Sequence, residues 1–202
     1  MKLKIKNDIG TLLNELQLTG NGLEVGVLKG EFSKIILEKW KGTLYMLDSW
    51  RHLENYDDAN NPDTETHLKS LREAIKNVEP FVDRAYIIRM LSEDAANMLF
   101  RDEYFDFIYI DANHSYEGAK GDFEMWYPKL KPGGLFMCDD YIPHDGPIWI
   151  TWPEEMKKEP VYAGDYGVKK AVNEFVENHK IHRMYITDEP YWRQCYWIKE
   201  FK

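Results

Sequence analysis

The sequence has few cysteines and no long apolar run, and both absences narrow the class of protein. Cys138 and Cys195 are the only cysteines in 202 residues, and they form no CxxC pair and no His/Cys spacing that suits zinc. No stretch approaches the roughly 20 consecutive apolar residues of a membrane span. The first residues carry lysines but neither an apolar run nor a small-residue cleavage site, so no secretory signal is expected. These features predict a cytoplasmic protein with no membrane partner.

Basic clusters are also missing. The chain has 26 lysines and arginines against 35 aspartates and glutamates, a formal net charge of -9, and its longest basic runs are Lys157-Lys158 and Lys169-Lys170. A negative protein field repels the phosphate backbone of nucleic acid. Nucleic acid is therefore not expected as a partner, whereas a small neutral or cationic ligand or a divalent metal suits this charge. A homo-oligomer is compatible with the composition.

Along most of the chain, short runs of apolar residues alternate with segments whose apolar residues recur at the spacing of an α-helix. This alternation predicts one α/β domain over residues 1–202, a Rossmann-like doubly wound sheet that is mostly parallel and has seven strands. Residues 1–19 are predicted as an N-terminal helix. Residues 141–166 are predicted as a lid or substrate loop, because a connection of this length greatly exceeds the common 2 to 6 residues. The predicted strands are 23–25, 43–48, 84–90, 105–110 and 135–138, followed by an antiparallel hairpin of 181–186 and 191–198.

The first strand-to-helix turn suits a nucleoside. Gly26 would let a ligand approach the backbone, and Asp48 follows the second strand about 20 residues later, where a carboxylate can accept hydrogen bonds from ribose hydroxyls. A dinucleotide site would need glycine at position 28 beside the pyrophosphate, and the chain has Leu28 there. The turn thus favours a ligand with a ribose but no phosphates. The alternative is a glycine that only serves packing.

Three aspartates follow two neighbouring central strands. Asp111 ends the fourth strand, and Asp139 and Asp140 end the fifth. Carboxylates within a few Å of each other raise one another's pKa, and a hard divalent cation such as Mg²⁺ would relieve that repulsion. The sequence therefore predicts a metal site formed by Asp111, Asp139 and Asp140. The alternative is that Asp139 and Asp140 cap a turn or face solvent.

Four segments together resemble class I S-adenosylmethionine-dependent methyltransferases, namely FDFIYIDANHSYEG at 105–118, LKPGG at 130–134, CDDY at 138–141 and GVKKAV at 167–172. The chain is most similar to metal-dependent small-molecule O-methyltransferases of the catechol type and of the macrocin or antibiotic-sugar type, over about residues 20 to 198. The resemblance implies a role for eight positions in addition to the base. Glu24 and Gly26 would hold the methionine end of the cofactor, Asp48 the ribose, and Ser92 with Glu93 the adenine edge, while Asp111, which also borders the cofactor, would bind the metal with Asp139 and Asp140.

The chain departs from both types at the position of the catalytic base. The antibiotic-sugar type has an aspartate two residues after the first metal aspartate, where this chain has Asn113, and the catechol type has a lysine three residues after it, where this chain has His114. Histidine can act as a base near neutral pH, so His114 is the candidate catalytic residue. Its alternatives are stacking near the adenine or capping the helix at Ser115.

The predicted function is transfer of a methyl group from S-adenosylmethionine to a hydroxyl of a small sugar-like or phenol-like molecule, assisted by Mg²⁺ or a similar divalent cation. In the predicted lid, Trp149, Trp152 and Tyr162 would form an apolar or sugar-stacking wall, and His144 and Asp145 could contact substrate. Packing within the loop is the other explanation for these aromatic residues. Two other functions stay open, an NAD(P)-dependent oxidoreductase and a non-catalytic protein that binds the cofactor.

Overall fold

The computed structural model describes residues 2–142, 145–150 and 160–201. Nine strands and six α-helices are described in this part of the chain. The strands are β1 (Asn21–Val25), β2 (Thr43–Asp48), β3 (Ala85–Arg89), β4 (Phe105–Ile110), β5 (Leu130–Cys138), β6 (Gly146–Ile150), β7 (Val161–Tyr166), β8 (Tyr185–Ile186) and β9 (Cys195–Ile198). The helices are α1 (Ile9–Glu15), α2 (Glu31–Lys39), α3 (Thr64–Val78), α4 (Ser92–Met98), α5 (Tyr116–Trp126) and α6 (Val168–Asn178).

Seven of the strands form one sheet in the order β3-β2-β1-β4-β5-β9-β8. The first five pair in parallel, and β9 and β8 add antiparallel pairs at one edge. The predicted fold class is confirmed. The chain runs outward from β1 through β2 to β3 and then resumes at β4 on the other side of β1. Open α/β sheets bind ligands at such a reversal, outside the carboxyl ends of the strands.

The two faces of the sheet are buried in separate apolar clusters, which explains why its central strands have near-continuous apolar sequences. Ile108 and Ile110 of β4 pack in the cluster with α5 and α6, whereas Phe107 and Tyr109 pack in the cluster with α1 and α2. Alternate residues of a strand point to opposite faces, so one strand contributes to both clusters. This packing fixes the strand ends at which the candidate site residues lie.

The structure differs from the expected element bounds at several strand ends, of which β5 is the clearest because it begins at Leu130, and more strongly in three other places. The N-terminal helix predicted for 1–19 is limited to α1, preceded by a short 3-10 turn at Lys6–Asp8. The segment predicted as a loop at 141–166 contains an antiparallel hairpin of β6 and β7 in a separate sheet. The predicted terminal hairpin keeps its antiparallel pairing but shrinks to β8 and β9, and next to the turn the Gln194 N–H donates to the hydroxyl of Thr187 rather than to a carbonyl. No helix in the described residues has both the length and the apolar character needed to cross a membrane.

Candidate functional site

A cavity of about 530 Å³ opens at the carboxyl ends of β1, β2 and β4. A volume of this order suits a small organic ligand. The residues predicted from the sequence to contact the cofactor all line this cavity, together with the candidate base: Glu24, Gly26, Asp48, Ser92, Glu93, Asp111 and His114. The sequence pattern therefore located the residues that surround one cavity.

Gly26 forms the floor of the cavity where β1 ends. Its φ of +86° lies in the left-handed region that favours glycine. A Cβ at this position would lie 1.8 Å from the carbonyl oxygen of Asp111. The close approach of two strand ends therefore requires glycine even before a ligand is considered, which accounts for the residue by packing as well as by ligand access.

We expect Gly26→Ala to lower the free energy of unfolding by roughly 2 to 4 kcal/mol, because the methyl group adds backbone strain and a steric clash. Gly121→Ala is the matched control. Gly121 lies inside α5, and a Cβ added there would meet no neighbouring atom within 4 Å, so alanine should be neutral or stabilising by up to about 1 kcal/mol. Urea denaturation of both variants measures the difference, and equal stabilities would contradict the steric explanation.

Glu24 is a buried carboxylate at the end of β1, with 2% of its surface exposed. It accepts a hydrogen bond from the hydroxyl of Ser33 in α2. Burial, with the charges of Asp111 and Asp48, raises the pKa of Glu24 to about 8, although the Ser33 hydrogen bond opposes this. A cationic ligand group beside Glu24 would lower this pKa, so the carboxyl group would ionise when the ligand binds.

Asp48 organises the turn that follows β1. Its Oδ2 accepts hydrogen bonds from the backbone N–H groups of Val27 and Leu28 at 3.0 and 2.9 Å, and its Oδ1 accepts one from Trp50 N–H at 2.8 Å. A carboxylate oxygen has two acceptor sites, so Oδ1 retains one for a ligand. Leu28 in this turn has a φ of +50°. Its carbonyl accepts a hydrogen bond from the Trp50 indole, which stabilises the turn.

Ser92 and Glu93 begin α4 at the opposite side of the cavity. The Ser92 side chain does not cap this helix. Its hydroxyl donates a hydrogen bond to Asp122 of α5 and accepts one from the Trp126 indole at 2.8 Å. Burial raises the pKa of Asp122 to about 6, against the effect of the Ser92 hydrogen bond. Asp122 also lines the cavity and had not been singled out from the sequence.

The acidic residues at the ends of β4 and β5 converge on His114. The Nε2 atom of His114 lies 3.1 Å from Asp140 Oδ2 and 3.6 Å from Asp111 Oδ1. One potential ligand atom from each of these three residues lies within 4.8 Å of the others. Among the described residues, this set could hold a divalent cation through two carboxylates and one imidazole.

The other nitrogen of His114 is held from a different part of the chain. Nδ1 lies 2.8 Å from Asp58 Oδ2 and 3.2 Å from the Tyr56 hydroxyl, in the segment between β2 and α3. The imidazole also stacks on Tyr166 of β7, with ring centroids 4.6 Å apart and planes at 18°. Three contacts therefore fix the direction of Nε2 toward the acidic residues.

Asp139 occupies a different position from the one predicted for a metal ligand. Its carboxylate accepts from Lys6 Nζ at 2.6 Å, from the Tyr109 hydroxyl at 2.5 Å, from Gln194 Nε2 at 2.6 Å and from Asp140 N–H at 2.8 Å. The structure thus groups Asp111 and Asp140 with His114 and gives Asp139 four protein donors of its own. Tyr109 links the two groups, since its hydroxyl also lies 3.3 Å from Asp111 Oδ2.

Charges around this cluster are only partly balanced. Burial raises the pKa values of Asp111 and Asp140, and repulsion from Asp139 adds to both. Burial would also raise the pKa of Asp139, but the Lys6 ammonium outweighs it and lowers that pKa. For His114, burial favours the neutral ring, yet hydrogen bonds to Asp111 and Asp58 and the charge of Asp140 raise its pKa well above the usual value. An added cation would relieve the remaining repulsion among the carboxylates.

The hairpin of β6 and β7 approaches the site from the segment predicted as a lid. Trp149 and Tyr162 pack against each other at 5.3 Å, and Trp149 stays 57% exposed. The carboxylate of Asp145 accepts from the N–H of Lys170 at the start of α6 at 3.1 Å. His144 and Trp152, two of the proposed substrate contacts, lie outside the described residues.

Comparison with known proteins identifies the family to which the chain belongs. A model of the methyltransferase domain matches residues 23–141, more than half of the chain. The chain belongs to this methyltransferase family. A 55-residue stretch is also 36% identical to the uncharacterized protein y4gI of Sinorhizobium fredii, a match that covers 26% of this chain and spans only 6% of that protein's length.

Solved structures of methyltransferases share the fold. The O-methyltransferase from Bacillus cereus in complex with SAH is 18% identical, with a TM-score of 0.62 over 96% of this chain and 80% of that one. The 1,6-didemethyltoxoflavin-N1-methyltransferase of Burkholderia thailandensis, solved with its substrate and S-adenosylhomocysteine, is 12% identical, with a TM-score of 0.56 over 97% and 77%. At these identities the likeness establishes the fold of the methyltransferase, and the acceptor atom has to be argued from the site.

Several residues of the methyltransferase site carry no local sequence signal. Lys6 meets Asp139 across 133 residues, and Asp58 meets His114 across 56. Ser33 of α2 contacts Glu24 of β1, nine residues away in the sequence. The position of Asp58 follows from a backbone bridge to Gly164 of β7, a pairing that only the folded chain reveals.

Proposed function

We propose that this methyltransferase transfers a methyl group from S-adenosylmethionine to a hydroxyl of a small molecule. The observation that carries the proposal is a single cavity that adjoins both a nucleoside-type strand end, with Gly26 and Asp48, and a histidine–carboxylate cluster. The first part suits an adenosyl group, and the second suits an acceptor hydroxyl that must lose its proton. Sugar-like and phenol-like hydroxyls both fit this chemistry.

In this proposal the cofactor lies along the lining of the cavity. Glu24 and Gly26 face its methionine end, with the Glu24 carboxylate paired to the ammonium group. Asp48 accepts from a ribose hydroxyl through the free acceptor site of Oδ1, and Ser92 with Glu93 borders the adenine. Asp111 lies where the cofactor meets the acceptor. The acidic lining favours a ligand that carries a sulfonium and an ammonium.

Mg²⁺ or a similar divalent cation fits the acidic cluster. Asp111 and Asp140 would be its carboxylate ligands, because they point at one space with His114 and their mutual repulsion is only partly relieved. Asp139, the third predicted ligand, would support these two residues through its hydrogen bond with Tyr109. The Lys6 ammonium would neutralise the charge of Asp139. Such an ion, when bound, lowers the pKa of an acceptor oxygen and orients it.

The protein's own groups would perform the remaining steps. Transfer from a sulfonium to a hydroxyl forms one C–O bond, breaks one C–S bond and releases one proton. His114, in the neutral form that a cation bound nearby favours, would accept that proton at Nε2, with Asp58 fixing the ring through Nδ1. Cavity walls would align the acceptor oxygen with the methyl carbon, which is the main requirement for an in-line displacement. The hairpin of β6 and β7 would act as the lid over the acceptor.

Two other functions are separated from this one by ligand binding. An NAD(P)-dependent oxidoreductase would need room for a pyrophosphate where Leu28 lines the cavity. Fluorescence titration with S-adenosylhomocysteine and with NAD⁺ should show saturable binding of the first alone. A non-catalytic cofactor-binding protein would bind the cofactor yet release no S-adenosylhomocysteine from S-adenosylmethionine with any hydroxyl acceptor in a sugar and phenol panel.

The raised pKa of Glu24 predicts a proton release on cofactor binding. Its pKa of about 8 leaves the carboxyl group largely protonated at pH 7, and an ammonium group beside it would lower that pKa and expel the proton. Calorimetry of S-adenosylhomocysteine binding in buffers of different ionisation enthalpy should therefore show release of close to one proton. Glu24→Gln should bind with no such release, and a wild-type protein without any release would contradict the contact.

A further inference from the structure

The two cysteines of the chain meet at one position of the main sheet. Cys138 ends β5 and Cys195 begins β9, and the two residues are direct partners in the antiparallel register. Their sulfur atoms lie 3.0 Å apart, although both are free thiols in this structure. Disulfide sulfurs lie about 2.05 Å apart, so a shift of about 1 Å would bring these two within bonding distance. The two cysteines are 57 residues apart in the sequence, so no spacing motif predicts their contact.

We propose that Cys138 and Cys195 form an intramolecular disulfide when the protein meets a disulfide oxidant such as glutathione disulfide. One cysteine thiolate attacks a sulfur of the oxidant, which forms a mixed disulfide and releases one glutathione thiol. The second cysteine thiolate then attacks the protein sulfur of that mixed disulfide and releases the other glutathione thiol. Two protein thiols are oxidised to one S–S bond, and one glutathione disulfide is reduced to two thiols. The inference does not depend on the proposed methyl transfer.

Access to the pair would come through the edge of the sheet. Both cysteines are buried, with 1% and 0% of their surfaces exposed. The strand that covers Cys195 is β8, which has two residues and pairs only at Tyr185–Tyr196 and Ile186–Cys195. Local opening of so short an edge strand takes much less free energy than global unfolding. The thiolate is the attacking form of a cysteine, so the reaction should become faster as the pH rises.

The bond would tie the edge hairpin to the centre of the site. Cys138 precedes Asp139 in the chain, and Cys195 follows Gln194, whose side-chain amide donates to the Asp139 carboxylate at 2.6 Å. A disulfide beside this contact would hold Gln194 and Asp139 together even when β8 opens. It would also close a loop that contains α6 and the β6–β7 hairpin, so the oxidised protein should unfold at a higher temperature.

The test uses the full-length protein incubated with excess glutathione disulfide at about pH 8.5, where thiolates become available. We expect the loss of both titratable thiols and a mass decrease of about 2 Da, the mass of two hydrogens. Digestion without reductant should yield one linked peptide pair that contains residues 138 and 195. The melting temperature should rise by roughly 5 to 10 °C and return on reduction. Cys195→Ala and Cys138→Ala are the controls, and neither should show the mass decrease.

Three results would overturn the proposal in the wild-type protein. These are two thiols that stay titratable in unfolding buffer after the incubation, a glutathione adduct that persists instead of resolving, and a cross-link between two chains on a non-reducing gel. Since all three are read on the wild-type chain, instability of an alanine variant would not obscure them.

Discussion

Asp140→Asn is expected to abolish cation-dependent methyl transfer while S-adenosylhomocysteine still binds with wild-type affinity. Asp140 points at His114 and Asp111 and does not line the 530 Å³ cavity, so its carboxylate serves the cluster rather than the nucleoside. Asparagine keeps the shape of the side chain and tolerates the residue's φ of +57°. The substitution therefore removes one negative charge with little change in the backbone.

The measurable effect is a loss of divalent cation affinity. Groups that merely support a metal ligand change affinity by about 10- to 100-fold, so loss of a ligand itself should cost at least about 100-fold. Titration with Mn²⁺ followed by electron paramagnetic resonance would measure this without any substrate. Asp188→Asn is the matched control, because Asp188 is exposed and forms a salt bridge with Lys2 near the N-terminus. Unchanged Mn²⁺ binding by the Asp140 variant would remove Asp140 from the metal site.

Asp139→Asn tests the proposal that Asp139 supports the cation site indirectly, whereas Asp111 and Asp140 ligate the cation. The Lys6 ammonium would lose its partner and become an unpaired charge next to Tyr109, so this variant should lose more stability than Asp140→Asn. Its cation affinity should fall less, because Asp139 would contribute through Tyr109 and not by direct ligation. The reverse order of the two variants in Mn²⁺ affinity would restore Asp139 as a ligand, as the sequence first suggested.

Strand ends are the part of the site that sequence patterns predict well. Glu24 lies one residue before the end of β1, Asp48 ends β2 and Asp111 follows β4, because a strand buried on both faces tolerates polar residues best near the point where it leaves the sheet. The parallel arrangement then brings these ends to one edge, so their convergence follows from the fold class alone. This is why the candidate cofactor residues could be expected to lie near one another.

Contacts made by connecting segments were not predictable in the same way. Asp58 reaches His114 because Ala59 and Asp58 pair with the backbone of β7, and that hairpin itself was expected to be a loop. Pro147 and Gly164 weaken any strand pattern in the hairpin sequence. Lys6 likewise lies in a short 3-10 turn that packs against the β8–β9 turn, with its N–H donating to Glu189. Such contacts depend on long-range register, which periodicity does not encode.

His114→Asn is expected to reduce kcat by roughly 10² to 10⁴, the usual contribution of a positioned general base. Asparagine can neither accept the acceptor proton at neutral pH nor keep the paired contact with Asp58. A rival outcome is a loss of Mn²⁺ affinity similar to that of the Asp140 variant, with kcat restored at saturating Mn²⁺. That result would make His114 a cation ligand and not the base, since both roles place Nε2 beside Asp111 and Asp140.

Asp58→Asn separates the two roles further, because it acts through the other nitrogen of the ring. Loss of the Asp58 carboxylate removes one of the hydrogen bonds that raise the pKa of His114, so that pKa should fall. A base works only when deprotonated, and the acidic limb of the kcat/KM profile should therefore shift to lower pH. We also expect kcat to fall by roughly 10- to 100-fold, because the ring loses the partner that fixes its tautomer.

The neighbouring Asp57→Asn is the matched control for that experiment, since Asp57 is exposed in the same segment. It should leave both the limb and kcat unchanged. A structural role for Asp58 would lower the melting temperature and the amount of active enzyme but would not move the pH limb. A limb that stays in place in the Asp58 variant, with kcat reduced, would therefore show that His114 is not the group whose deprotonation controls the reaction.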